Sequence, residues 1–223
     1  MQKHLRVVVE IIASEIPHNR HILEIGSLQT QGQKELTNLR TLFINSKYIG
    51  IDLRDGAGVD VVANAESLPF SDKTFDLVLC LETLEHAEKP WIITKEIERV
   101  MNPRGICIVS SQQNFPIHKH PSDYFRYTPF GLSILFKSLK EKMVVAISPP
   151  FDKEVELNPQ TVILVGSKQN VPKVFKNIRR KLESNKDKIS IHKPYRHRLF
   201  DGLRFVRRGF QEVFYKLDVK FYK

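Results

Sequence analysis

Apolar positions in this 223-residue chain gather into short runs separated by turn residues. From Phe75 the sequence reads F-D-L-V-L-C-L, and Asp76 to Leu81 is nearly continuous in apolar character. That is the pattern of a strand covered on both faces, which belongs to a parallel sheet flanked by helices. His21 to Gly26 (H-I-L-E-I-G) predicts the first such strand, ending in a turn at Gly26 and Ser27. Tyr48 to Asp52, Val59 to Val62, Phe75 to Leu81 and Ile106 to Ser110 predict four more. Helical patterns lie around them. Residues 5–16 form one, stopping before Pro17, and 33–44 a second. Residues 90–101 are opened by Pro90 and closed before Asn102-Pro103-Arg104-Gly105, and a helix from Thr128-Pro129 runs to Leu139. Met143 to Ile147 and Thr161 to Gly166 are joined by a proline-bearing loop too short for a crossover helix, so they are expected to pair antiparallel. The alternation predicts a doubly wound, mostly parallel α/β sheet of Rossmann-like architecture.

Charge divides the chain in two. Residues 1–166 hold 18 Lys+Arg against 20 Asp+Glu, and residues 167–223 hold 17 against 5, so the formal net charge of +10 arises in the tail. The expected organisation is one domain over 1–166 followed by a basic, amphipathic helical tail over 167–223. Val174 to Ile189 reads as a basic helix. Beyond it Leu199, Leu203, Val206, Phe210, Val213 and Leu217 recur at intervals of four and three, with Arg204, Arg207, Arg208 and Lys216 off that stripe. Such a stripe serves a helix that docks on its own domain, one that drives self-association, or one that lies on an anionic membrane surface. Phosphate binding on nucleic acid ranks below these, because no RNA-binding module accompanies the charge. No run approaches the roughly 20 apolar residues of a membrane span, and Glu10 and Ser14 interrupt the first apolar stretch. The expected location is the cytoplasm, with peripheral attachment at the inner face of the membrane as its extension. Cys80 and Cys107 sit in apolar strand-like runs and read as buried thiols.

Five blocks in order carry a family resemblance over roughly residues 18–166: L-E-I-G-S (23–27), Y-I-G-I-D (48–52), A-N-A-E-S-L-P-F (63–70), F-D-L-V-L-C-L-E-T-L-E-H (75–86) and the strand after N-P-R-G (102–105). The chain resembles the class I S-adenosylmethionine-dependent methyltransferases, in the group that contains ubiquinone-type and bacterial small-molecule enzymes. The resemblance implies a seven-stranded sheet ending in an antiparallel strand, with S-adenosylmethionine as cofactor. It implies that Glu24 lies near the cofactor's amino-acid moiety and that Leu81 and Glu82 close the site. Residue chemistry adds the rest. Gly26 lets backbone approach a ligand, and Asp52 at a strand end can accept hydrogen bonds from a ribose diol. Asn64, Ala65 and Glu66 present an amide and backbone N–H groups to an adenine edge. After Gly26 comes S-L-Q-T-Q and only then Gly32, so the turn is longer or differently shaped than the usual glycine-rich one. G-x-G-x-x-G is absent at 26–31, which argues against a nicotinamide dehydrogenase.

Two segments carry candidate chemistry. Glu82, Glu85 and His86 fall at i, i+3 and i+4, so a helical turn after the strand would place them on one face as ligands for a divalent ion such as Mg²⁺, with His118 or His120 as a fourth. This E-x-x-E-H pattern is similar to one that binds metal in ubiquinone-pathway and small-RNA methyltransferases. Residues 114–129 concentrate His118, His120, Asp123, Tyr124 and Arg126 in a loop after a parallel strand. His118 or His120 is the candidate base, Asp123 its orienter, and Tyr124 and Arg126 the acceptor contacts. The loop is similar to those of methyltransferases in polysaccharide and glycolipid biosynthesis. The expected function is therefore methylation of a hydroxyl on a small molecule, sugar or glycolipid. The alternatives are an RNA methyltransferase using the basic tail, and a non-catalytic binding protein on the same fold.

Overall fold

Alternate residues of each central strand divide between two cores. Leu77 and Leu79 of β4 (Phe75–Leu81) and Ile106 and Ile108 of β5 (Met101–Gln112) enter one. Val78, Cys80, Cys107 and Val109 enter the other. A strand that is apolar at every position is thereby buried on both sides, which places helices on both faces of the sheet. The computed structural model describes residues 1–17, 20–29, 32, 34–118, 122–148, 159–189 and 218–222.

The sheet has the order β3-β2-β1-β4-β5-β7-β6-β8. Its remaining strands are β1 (His21–Ile25), β2 (Lys47–Asp52), β3 (Val61–Val62), β6 (Glu141–Ser148), β7 (Thr161–Ser167) and β8 (Asp218–Tyr222). β1, β2, β3, β4 and β5 pair parallel, and β7 runs antiparallel between β5 and β6. This is the doubly wound sheet expected from the sequence, including the antiparallel pairing of its last two predicted strands. β8 adds an eighth strand, antiparallel to β6, from the far end of the tail. On one face lie α1 (Lys3–Ala13), α5 (Pro172–Ser184) and α6 (Lys186–Ile189). On the other lie α3 (Pro90–Val100) and α4 (Pro129–Leu135), whose N-cap Thr128 accepts the Gly131 N–H through its side chain.

Three helical expectations change, the simplest being α4, which stops at Leu135 and not at Leu139. The helix read over 33–44 is only α2 (Lys34–Thr37) and a 3₁₀ turn at Arg40–Leu42. Asn38 breaks it: its side-chain oxygen accepts the Arg40 N–H at 3.2 Å, a local bond that competes with the helical ladder. Arg6 from α1 then takes the exposed carbonyl oxygens of Leu36 and Asn38. The basic helix read over 174–189 is interrupted at Asn185, whose side-chain amide donates to the Lys181 carbonyl at 2.8 Å. Phe175, Ile178 and Leu182 of α5 are buried against α1, so this part of the tail docks on the domain. The stripe from Leu199 to Leu217 lies outside the described residues.

The carboxyl ends of β1, β2 and β4 meet at one tight turn. Gly26 and Ser27 both donate their N–H groups to the Ile51 carbonyl at 2.9 Å. Gly26 has φ +78°, and a Cβ there would stand 2.2 Å from Thr83 Oγ1. Gly26→Ala is expected to destabilise the fold by about 2 kcal/mol, combining backbone strain with the clash. Adding Thr83→Ala removes the clash but not the strain, so chemical denaturation should show partial recovery in the double variant.

α1 carries a pH-dependent contact. His4 is buried, with Nε2 3.0 Å from Thr161 Oγ1, and burial pulls its pKa from 6.5 down to about 4. The unfolded chain takes up this proton below 6.5, while the folded chain resists it until about 4. Stability present above pH 6.5 is therefore lost as pH falls toward 4, by up to about 3 kcal/mol. Glu24 and Glu85 titrate with the opposite sign, so the comparison is with His4→Gln. That variant is expected to lack the His4 contribution, read as the difference in urea unfolding between the two proteins from neutrality to about pH 4.

Candidate active site

A cleft of about 770 Å³ opens at the carboxyl ends of the parallel strands. Every residue assigned to the cofactor from the sequence lines it: Glu24, Gly26, Asp52, Asn64, Ala65, Glu66, Leu81 and Glu82. Four segments deliver them: Glu24 and Gly26 come from β1 and the turn after it, Asp52 from β2, Asn64, Ala65 and Glu66 from the turn after β3, and Leu81 and Glu82 from the end of β4. Ligands of open α/β sheets bind in this crevice outside the strand ends.

Each wall has a local physical cause. Glu24 is buried and its carboxylate accepts the Tyr48 hydroxyl at 2.7 Å; burial raises its pKa to about 7 against the lowering effect of that bond. Asp52 Oδ1 accepts the Arg54 N–H at 3.1 Å, and the Arg54 guanidinium lies 3.6 Å away. Asn64 Oδ1 accepts the Glu66 N–H at 2.9 Å, which shapes the 64–66 turn and leaves its NH₂ as the group for a ligand. Glu82 sits at φ +49°, a sparsely populated region for a residue with a side chain. The Ser110 carbonyl and Ser110 Oγ hold its N–H at 3.0 and 3.1 Å.

The loop after β1 is thin in glycine because the next loop supplies it. Gln29 donates its N–H to the Ala57 carbonyl at 2.8 Å. A Cβ on Gly58, which has φ +91°, would stand 2.5 Å from the Ser27 carbonyl. The space a glycine-rich turn would provide is shared between the two loops. Ser27 Oγ, Gln2 Nε2 and Gln112 Oε1 are buried at this cleft without a hydrogen-bond partner among the described residues. Buried polar atoms are ordinarily paired, so their position is that of groups meeting a polar ligand. Sequence reasoning missed Ser27, Gln2 and Gln112, as well as Tyr48. Nothing in a single sequence marks a strand-end glutamine or an N-terminal helix as part of such a wall.

At the other end of the cleft the segment after β4 meets the loop after β5. Leu84–His86 forms a 3₁₀ turn and not an α-helical one. Glu82, Glu85 and His86 therefore do not share a face. Glu82 takes the Gln112 amide at 3.3 Å and lies 3.4 Å from the Met1 nitrogen. Glu85 is fully buried, accepts the Ser111 hydroxyl at 2.7 Å, and has its pKa raised to about 7 by burial. Its backbone carbonyl takes the N–H groups of Tyr124 and Phe125 at 2.7 and 3.3 Å, so the turn anchors the loop. Among the described residues, the metal-capable group is instead Glu85, His86 and His118, with one donor atom from each within 4.8 Å of the others. Two imidazoles and one carboxylate do not match the oxygen-rich set that Mg²⁺ requires.

His118, His86 and Tyr124 line the cleft, whereas Asp123 and Arg126 lie behind it. Asp123 Oδ2 is 3.1 Å from His118 Nδ1 and also accepts the His118 backbone N–H at 2.9 Å. Arg126 grips the same carboxylate, with Nη2 2.6 Å from Oδ2, and its other donors reach the Phe115 and Pro116 carbonyls. This guanidinium holds the Asp123 carboxyl well below the usual carboxylate range. Tyr124 donates its hydroxyl to Glu88 at 2.9 Å. His86 packs edge-on against the His118 ring at 4.8 Å. His120 lies outside the described residues.

The comparisons with known proteins agree with this geometry. Residues 23–109 match the family described as a methyltransferase domain. The demethylmenaquinone methyltransferase of Lactococcus lactis is 38% identical over 82 residues, covering 35% of this chain and 32% of that protein. An uncharacterised methyltransferase of Mycolicibacterium vanbaalenii is 37% identical over 54 residues, covering 24% of this chain and 21% of that one. The chain thus spans a third or less of the length of these curated relatives. Among solved structures, the 1,6-didemethyltoxoflavin-N1-methyltransferase of Burkholderia thailandensis, with S-adenosylhomocysteine bound, superposes with TM-score 0.55 at 14% identity, covering 75% of this chain and 79% of that one. A methyltransferase of Thermotoga maritima gives 0.53 at 18% identity, covering 74% and 91%. At these identities the structural likeness is one of fold. Residues 23–109 thus match a methyltransferase domain, on a sheet whose fold is similar to that of solved S-adenosylmethionine-dependent methyltransferases.

Proposed function

We propose that the cleft binds S-adenosylmethionine and that the protein transfers its methyl group to a hydroxyl of a small molecule, with a sugar or glycolipid as the favoured acceptor class. One observation carries the reading: the cofactor-assigned residues from β1, β2, the 64–66 turn and the end of β4 all line one cleft, which His118 also borders.

The charge of that cleft suits the chemistry. Asp52, Glu66, Glu82 and Glu88 line it beside the largely buried Glu24, against the Arg54 guanidinium and the Met1 amino group among the described residues. An acidic wall favours a sulfonium cation electrostatically. S-Adenosylmethionine supplies an electrophilic methyl group; the protein's residues must position the acceptor and take up its proton. His118 Nδ1 lies 3.3 Å from the Pro116 carbonyl and 3.1 Å from Asp123 Oδ2, two acceptors that favour the tautomer in which Nε2 carries the lone pair. Arg126 keeps Asp123 ionised for that task. When an acceptor oxygen takes that methyl group and S-adenosylhomocysteine leaves, His118 Nε2 would be the group that receives the hydroxyl proton. Tyr124, half exposed at the cleft and oriented by Glu88, is the acceptor contact from the same loop.

The test is release of S-adenosylhomocysteine in the presence of free sugars, glycolipids and phenolic or quinol acceptors. His118→Ala is expected to lower turnover of the responding acceptor by about 10²- to 10⁴-fold while leaving S-adenosylhomocysteine affinity unchanged. Undiminished turnover in His118→Ala would remove the base from the mechanism.

A further inference from the structure

We propose that the outward face of α5 is an electrostatic docking surface for an anionic phospholipid bilayer. The helix is amphipathic in an uneven way. Phe175, Ile178 and Leu182 are buried at i, i+3 and i+7 against α1, while Lys173, Lys176 and Arg180 are exposed on the opposite side and Arg179 is exposed beside the buried stripe. One acid, Glu183, is exposed near the end of the helix. Lys186 and Lys188 of α6 extend the exposed cations past Asn185. The groove that Val171 and Val174 line at the start of α5 is bordered by Arg104 and by Arg20, the latter paired with Asp76, so one further net positive charge lies at that end.

The ridge is displayed by a fixed scaffold. The apolar stripe seats α5 on α1, and Lys181 ties the two helices through Glu15 and the Ser14 hydroxyl. No entropy of folding opposes binding at this surface, unlike that of an unstructured basic tail. Bilayer headgroups need only such an array of charge, each cation near the surface contributing independently. Single-stranded nucleic acid also requires aromatic faces for stacking, and α5 exposes none, because Phe175 is buried. Nothing in the cofactor cleft comes from α5. Docking there therefore leaves the cofactor site intact and acts as recruitment, not catalysis.

Co-sedimentation with vesicles tests this, using the full chain. Binding is expected to vesicles of phosphatidylcholine with phosphatidylglycerol, to be absent with phosphatidylcholine alone, and to fall as salt rises. The variant Lys173→Gln, Lys176→Gln, Arg180→Gln alters exposed positions only. It is expected to lower the partition coefficient on the order of 100-fold, with thermal unfolding and S-adenosylhomocysteine binding unchanged. Vesicle binding undiminished in the variant would assign attachment to other parts of the chain and overturn the proposal. Duplex or single-stranded RNA bound more tightly than the anionic vesicles would overturn it in favour of a nucleic-acid surface. Equal binding to both vesicle types would overturn it as well, since charge would not be what is read.

Discussion

The Ile51 carbonyl oxygen accepts two N–H groups at once, from Gly26 and from Ser27, and the cleft depends on that bond pair. It folds the chain back at the end of β1 so that β1 and β2 finish at the same level. Thr83, arriving from β4, then fills the space where a side chain at position 26 would stand. Three strands that share one terminus leave Glu24, Asp52 and Glu82 around a common volume. A bulky residue at this crossing would displace all three walls together.

Burial without full pairing gives the site its second character. Glu24, which lines the cleft, and Glu85, fully buried beneath the turn after β4, have their pKa values raised to about 7, and each accepts one side-chain hydroxyl, from Tyr48 and Ser111. Asp123 shows the opposite case: gripped by Arg126 and by the His118 backbone, it stays ionised. Carboxyl groups of the same kind thus serve differently according to what surrounds them. The Asp123–Arg126 pair also ties the loop back on itself through the Phe115 and Pro116 carbonyls. Glu85, through its backbone, fastens that loop to the end of β4.

Much of this was legible in the sequence because strands buried on both faces cannot hide. The run Asp76 to Leu81 matches β4, and the residues assigned to the cofactor line a cleft where such strands end. Local competition was harder to see. Asn38 breaks a helix by bonding to the Arg40 N–H, and the Leu84–His86 turn winds as 3₁₀ where an i, i+4 reading assumed an α-helix, separating Glu82 from Glu85 and His86. The thin glycine loop at 26–32 was puzzling by itself. Its explanation lies in Gly58, on a different loop, which makes room for Ser27. β8 was invisible because five residues beyond a long basic stretch carry little pattern, and only the exposed edge of β6 gives them a partner.

The central claim, that this cleft is a cofactor site, is tested most directly by calorimetric titration with S-adenosylhomocysteine, comparing the protein with Asp52→Ala. Saturable binding in the intact protein, weakened by about 10- to 100-fold when the strand-end carboxylate is removed, is the result the account predicts. Absence of binding, or affinity indifferent to Asp52, would contradict it.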